Sequence, residues 1–331
     1  MLAKHNISFW STKRVLVTGA TGMVGSWVSK GLVDAGAHTV AFVSDLDPQS
    51  ELIRSGYIHK CSVVNGRLEN YDDVERAINN HEVDSIIHLG AQPIVGAANR
   101  SPRHTFESNI QGTWNVLDAA RSLSGLVKRI VVASSDKAYG SQPVLPYTED
   151  MSLTGDHPYE VSKSCTDLIA ITYARTYGLP VNIARCGNIY GGGDLNWNRI
   201  VPGTFRSLLL NQTPVLRSDG TFVRDYLHVD DIVNAYLLLC ERTSENDLIG
   251  EAFNFSDESP LTVLDIFRAI CDAAGQPGIQ PNVLNMASGE IQDQYLDASK
   301  AHQVLGWKAE TTLQDGLAKS YKWYKELLAV Q

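Results

Sequence analysis

Tyr159 and Lys163, four positions apart, carry the strongest chemical suggestion in the chain. On a helix, positions i and i+4 share a face, so a phenol and an ammonium stand side by side there. A nearby cation favours the phenolate and lowers a pKa that is ordinarily about 10. Such a tyrosine can take the proton of an alcohol while a hydride leaves its carbon, provided that a hydride acceptor sits alongside. An amphipathic helix with a half-buried tyrosine and a solvated lysine presents the same pair. Two further requirements separate the readings: a site for the acceptor, and a second group on the alcohol. Ser135, closing a short apolar run, is available as that second group.

A site for the acceptor is legible near the start. Gly19-Ala20-Thr21-Gly22-Met23-Val24-Gly25 follows a β-branched run and opens a helical pattern. Glycines there allow a tight turn and let the backbone approach a pyrophosphate, which rests at the partly positive N-terminus of the helix. A glycine-rich turn by itself also arises for packing reasons, but here an acid closes the second strand. Asp45 can bond both hydroxyls of an adenine ribose and would repel a 2′-phosphate, so NAD is predicted rather than NADP. Asp47 competes for that role, its other reading being a loop carboxylate.

These residues must be positioned by the elements around them. Strands are expected at 14–18, 38–43, 60–64, 83–88, 128–133 and 180–185, with helices at 24–35, 71–80, 103–121 and 159–177. Nearly continuous apolar strands separated by helices predict an α/β fold, a Rossmann-type doubly wound parallel sheet covered on both faces. After Arg185 the rhythm changes. Gly191-Gly192-Gly193 opens a loop-rich region, helices are expected at 202–210, 229–240, 263–274 and 313–328, and Asn254 falls in one more candidate strand. The expected organisation is an NAD-binding domain over 1–187, with 229–258 packing back onto it. A smaller, mostly helical substrate lobe from 188–228 and 259–331 then lies over the carboxyl edge of the sheet, where such folds bind ligands.

Bulk properties narrow the partners. The 331 residues are 44% hydrophobic and 20% charged, which supports a sizeable core and argues against disorder. A net charge of -9 disfavours nucleic acid. Residues 1–14 lack the apolar run of a signal peptide, and no stretch approaches the roughly 20 apolar residues of a membrane span, so no membrane partner is expected. Cys61, Cys165, Cys186, Cys240 and Cys271 show no paired spacing; they read as reduced thiols of a cytoplasmic protein with no metal site. Trp114, Trp307 and Trp323 read as packing residues.

The order of further motifs carries a resemblance. Leu89-Gly90-Ala91-Gln92, Asn109-Ile110-Gln111-Gly112-Thr113, Ser134-Ser135-Asp136, Tyr159-Glu160-Val161-Ser162-Lys163 and Arg224-Asp225-Tyr226-Leu227-His228-Val229-Asp230-Asp231 follow the glycine turn over nearly the whole chain. The set resembles the nucleotide-sugar epimerase/dehydratase family of extended short-chain dehydrogenase/reductases. That resemblance implies cofactor contacts from Gly19, Thr21, Gly22, Met23, Val24, Gly25, Asp45, Arg67, Leu68, Leu89, Ala91, Gln92, Asn109, Tyr159 and Lys163. It implies a nucleotide-diphosphate sugar as substrate, contacted by Gln92, Ser135 and Asn188. Arg199, Arg217 and Arg224 are candidates for the diphosphate, since guanidinium groups pair bidentately with phosphate oxygens. A homodimer is also implied, through a four-helix interface built from the helix at 103–121 and the helix of Tyr159. The chain departs from the pattern where Val24 replaces a usual lysine and where Gly66-Arg67-Leu68 replaces Gly-Asp-Ile/Leu. Gln292 and Gln294 stand where many relatives carry another arginine.

Within the family, a 4-epimerase only returns the hydride to the other face of the sugar. A 4,6-dehydratase must also remove the C5 proton and expel the C6 hydroxyl. Asp136-Lys137 supplies two ionisable groups after Ser135, and the pattern is most similar to the CDP-glucose 4,6-dehydratases. Phe9-Trp10, Gly25-Ser26-Trp27, Ala91-Gln92-Pro93 and Gly191-Gly192-Gly193-Asp194 add to that similarity. The resemblance implies that Asp136 protonates the leaving hydroxyl and Lys137 acts at C5. The alternatives are a surface ion pair at Asp136 and Lys137, a 4-epimerase in which neither acts, and a catalytically silent dinucleotide sensor. Retention of Ser135, Tyr159 and Lys163 argues against the sensor.

Overall fold

The computed structural model describes residues 6–245, 247–286 and 291–329, so the first five residues of the N-terminal stretch read above lie outside the described residues. One parallel sheet has seven strands: β1 Arg14–Thr18, β2 His38–Val43, β3 Ser62–Asn65, β4 Ser85–His88, β5 Arg129–Ala133, β6 Val181–Cys186 and β7 Ala252–Phe255. Their order is β7-β6-β5-β4-β1-β2-β3, so the winding reverses between β1 and β4. Ligands bind at such a reversal, outside the carboxyl ends of the strands.

The sheet is buried on both faces. Along β1, Val15 and Val17 join one apolar cluster and Leu16 the other, as the two-residue period of a strand requires. The first cluster gathers Val28 and Leu32 of α1 (Met23–Asp34) and Ile232 and Leu239 of α6 (Val229–Arg242). The second gathers Val74 and Ile78 of α2 (Tyr71–Asn80), Val116 and Leu117 of α3 (Gly112–Ser122), and Ala170 of α4 (Pro158–Tyr177). A third cluster belongs to α5 (Ile200–Leu209), α7 (Val263–Ala273) and α8 (Leu313–Leu328), around Phe205, Phe267 and Tyr324. Short strands tie that part together. Asn188–Tyr190 pairs in parallel with Tyr226–His228, and Val223–Arg224 lies between Leu261–Thr262 and Asp293–Gln294. Among the described residues no helix is long and apolar enough to cross a membrane.

The start of α4 shows why Tyr159 sits where it does. Pro158 occupies the first turn, where its missing N–H is not needed. Glu160 Oε2 accepts from the backbone of Asp156 and His157 at 3.1 and 3.3 Å, closing a capping box.

Two expectations need correction. The helix expected over 103–121 is broken: Pro102–Phe106 leads into a π-turn at Glu107–Gln111, and only then does α3 begin. The extra residue in that turn lets the Asn109 carbonyl accept from both Thr113 Oγ1 at 2.6 Å and Thr166 Oγ1 at 3.2 Å. Trp307 and Trp323 are buried, but Trp114 is 44% exposed on the outer face of α3 and fills no core.

Candidate active site

A cleft of about 1440 Å³ runs over the carboxyl ends of β1, β4, β5 and β6. The residues singled out from the sequence as site candidates line it, apart from the competing acid Asp47 and Asn109, which is 2% exposed behind the wall.

At one end lies the glycine turn. Gly19 holds φ of +65°, and a Cβ added at Gly25 would fall 2.0 Å from the Gly19 carbonyl oxygen. Neither position accepts a side chain. The N-cap of α1 is Gly22, which offers no side-chain bond to the first-turn amides. Those amides are left for an anion, as a pyrophosphate site requires. Asp45 lies exposed on the cleft wall, its carbonyl taking a 3.4 Å bond from Thr21 Oγ1. Asp47 is instead engaged in a local turn, accepting from Gln49 N at 2.8 Å. Arg67 lies on the wall too and pairs loosely with Glu69 at 3.4 Å, while Leu68 packs beneath. Glycine backbone, free amides and a ribose-facing acid together fit NAD.

Below this end runs a buried polar chain that sequence reasoning missed. Thr18 Oγ1 accepts from Leu89 N and Gly90 N at 3.1 and 3.0 Å, so its own hydrogen goes to His88 Nδ1 at 2.7 Å. The ring proton therefore sits on Nε2, which donates to Thr113 Oγ1 at 3.1 Å, and Thr113 donates onward to the Asn109 carbonyl. Burial, helped by the Lys163 charge, pushes the His88 pKa down to about 3, so the ring stays neutral. The Asn109 side chain accepts from Gln92 N at 2.7 Å and donates to Ser162 Oγ at 2.9 Å. Ser162 in turn donates to the Tyr159 carbonyl at 2.7 Å. The sequence offered Asn109, Thr113 and Ser162 in its motifs and His88 at a strand end, but not the bonds that join them.

At the centre stand Ser135, Tyr159 and Lys163. Burial raises the Tyr159 phenol to about 12, while the Arg199 charge and a bond with Ser135 pull it down and Asp136 pushes it up. Lys163 is 5% exposed, and its Nζ donates to the Ala133 carbonyl at 2.8 Å. Burial lowers its pKa to about 8. Desolvation dominates the phenol, and Arg199 is the largest influence that opposes it.

Next to them, Asp136 opens a short 3-10 turn after Ser135. Its Oδ1 accepts from Ser135 Oγ at 2.8 Å, and its Oδ2 is buried without a partner. Asp136 is 3% exposed, and burial raises its pKa against the pull of Lys137. Lys137 does not pair with it; Nζ donates to Gln294 Oε1 at 2.9 Å. The two are not a surface ion pair. Asp225, 1% exposed, has its carboxyl pushed up to about 7 by burial and by the charge of Asp136.

The arginines separate on inspection. Arg199 pairs with Asp194 at 3.1 Å and lies close to Tyr159. Arg217 is exposed on the wall with no side-chain partner among the described residues. Arg224 is 7% exposed, with Nη1 on the carbonyls of Val223 and Gln292, both at 2.7 Å, and Nη2 on that of Ile291. Three of its five donors go to the backbone, which its residue type did not reveal. Asn188 lies on the wall beside the short strand pair.

With this geometry in place, the comparisons with known proteins are informative. The family model described as GDP-mannose 4,6 dehydratase matches residues 16–320. A CDP-glucose 4,6-dehydratase of Salmonella typhimurium is 29% identical over 96% of this chain and 92% of its own length. The crystal structure of a dTDP-glucose 4,6-dehydratase of Streptomyces venezuelae with NAD bound is 28% identical, covers 95% of this chain and 97% of that one, and superposes with a TM-score of 0.86. A UDP-glucose 4-epimerase structure from Thermotoga maritima, 26% identical, covers 95% of this chain and 99% of that one, with a TM-score of 0.87. The glycine turn, the Ser135/Tyr159/Lys163 centre and these matches together make this chain a member of the GDP-mannose 4,6-dehydratase family of extended short-chain dehydrogenases, an NAD-dependent sugar-nucleotide dehydratase or epimerase.

Proposed function

We propose that the protein is a nucleotide-sugar 4,6-dehydratase of the CDP-glucose type. The observation that carries this reading is Asp136, a carboxyl buried beside Ser135 that burial pushes toward its protonated form, next to an amine, Lys137, on the same cleft wall. A 4-epimerase has no use for either group.

NAD, held in the cleft, would supply the hydride acceptor for C4 and the hydride for C6. Gly19, Thr21, Gly22, Met23, Val24 and Gly25 hold its diphosphate, Asp45 its ribose, and Arg67, Leu68, Leu89, Ala91 and Gln92 line its path, with Asn109 fixing Gln92 from behind. Tyr159 takes the C4 hydroxyl proton while Ser135 holds that oxygen and Lys163 anchors the helix face to the end of β5. Lys137 then removes the C5 proton, now acidified by the adjacent ketone. Asp136 protonates the C6 hydroxyl as the C–O bond breaks, so one water leaves and a C5–C6 double bond forms. Lys137 returns its proton to C5 as C6 is reduced. Arg199 and Arg217 meet the diphosphate, Asn188 the sugar side, and Arg224 contributes by fixing the wall.

Residues 1–187 with 229–258 serve as the cofactor domain, and 188–228 with 259–331 as the substrate lobe, in a cytoplasmic enzyme. Exposed Trp114 on α3 and Leu168 on α4 support a homodimer through those helices.

The test is incubation with CDP-, UDP-, GDP- and dTDP-hexoses, followed by product masses. Loss of one water from the CDP-sugar is expected. An unchanged mass with a new retention time would make the protein an epimerase, and no product from any sugar would leave a dinucleotide sensor.

A further inference from the structure

Gln294 is the unexplained residue of the site. It is 0% exposed, its Oε1 takes the Lys137 ammonium at 2.9 Å, and its Nε2 is buried with no partner. Toward a protonated lysine an amide presents its oxygen, and that is the orientation in which Gln294 stands. A glutamine retained for packing alone would not leave a buried donor unpaired, since an apolar side chain of similar size fills the same space without that cost.

The backbone carrying it is held from both sides. Gln294 pairs in register with Arg224, whose guanidinium grips the carbonyls of Ile291 and Gln292. Leu296 N donates to Asp225 Oδ2 at 3.2 Å, and Tyr147 N donates to the Tyr295 carbonyl at 2.9 Å. A segment anchored this firmly delivers one amide oxygen to one amine.

We propose that Gln294 is a positioning residue that aims Lys137 at the sugar, with Arg224 and Asp225 fixing the strand that presents it. The amide is a neutral acceptor. It orients the amine without clamping it in an ion pair, which leaves Lys137 free to take and return a proton. This rests on the dehydratase reading above.

The experiment compares wild type with Gln294→Met, which keeps the length and volume of the side chain, on the same panel of nucleotide hexoses. Water loss is followed by product mass, sugar oxidation by the near-ultraviolet absorbance of reduced nicotinamide, and folding by melting temperature. Gln294→Met is expected to lose water about 100-fold more slowly, as misplacement of a reacting group by a remote change does. Oxidation at C4 should persist, so reduced nicotinamide accumulates, and the melting temperature should hold or rise. Gln294→Glu, which keeps an acceptor but clamps Lys137 as an ammonium in an ion pair, should also slow water loss at neutral pH and recover toward wild type as pH rises. Water loss by Gln294→Met at the wild-type rate overturns the proposal. So does a parallel fall of both steps with the melting temperature, or a Glu variant whose water loss does not recover toward wild type as pH rises. A wild-type enzyme that turns the sugar over without losing water sinks the dehydratase reading itself, an outcome visible before any variant is made.

Discussion

The floor beneath the glycine turn and the wall around Lys137 are equally dry, yet they treat polar groups in opposite ways. Under the cofactor end, Thr18, His88, Thr113, Asn109 and Ser162 pass hydrogen bonds from one to the next and each finds a partner. At the sugar end, Asp136 Oδ2, Asp225 Oδ1 and Gln294 Nε2 are buried with none. A satisfied network makes one arrangement rigid, which suits a site that must hold the same dinucleotide in every turnover. Unpartnered buried groups each cost about 1–3 kcal/mol, and they persist where chemistry needs a proton held in the wrong place for water. One end is built for geometry and the other for reactivity.

The largest effects should fall where the two ends meet. Tyr159→Phe removes the group that takes the first proton, so turnover should drop roughly 100- to 10,000-fold while NAD still binds. Retained turnover would take the oxidation step away from Tyr159. Lys137→Ala should cut water loss roughly 100-fold or more and still allow oxidation, leaving reduced nicotinamide to accumulate. If that variant loses water at the full rate, the reactive end has been misassigned.

Much of this was legible in the chain before folding was considered. The strands were readable because burial on both faces of a parallel sheet demands continuous apolar runs, and Asp45 because it closes β2. The π-turn at Glu107–Gln111 was not readable, since the hydroxyl of Thr166 that helps hold it comes from another helix. Gln294 was noticed only as a departure from pattern; its partner Lys137 is 157 positions away. Arg224 shows the same limit from the other side. A guanidinium suggests phosphate by type, and only the folded chain brings three carbonyls to it. Sequence pattern reports which residues one element needs. It is silent on bonds that depend on how two distant elements meet.

Breaking the rigid end should register in stability before activity. Thr113→Val keeps the shape but strands the His88 Nε2 proton, which should cost about 1–3 kcal/mol. The check is the denaturant midpoint, with turnover at saturating substrate changed far less than in the Lys137 variant. A Thr113→Val protein as stable as wild type would mean that the buried chain does not set the floor's rigidity.

The smallest effect sharpens the comparison from the reactive end, through pH. Asp225 in the folded protein has its carboxyl raised to about 7, whereas an unfolded aspartate gives up its proton near pH 4. Between those values the folded state holds a proton that the unfolded state has lost, so unfolding releases it. Stability from this group is therefore complete below about pH 4 and is lost as pH rises through about 7. Asp225→Asn has no such proton, so it should be more stable than wild type by about 1–2 kcal/mol near pH 8 and should flatten the slope between. Melting temperatures measured across that window decide it. Any slope that survives belongs to the other carboxyls that burial raises in the same direction, Asp136, Glu149, Glu241 and Asp257 among them. A variant with the full wild-type slope would show that Asp225 holds no extra proton in that window, and that it serves only to anchor the strand of Gln294.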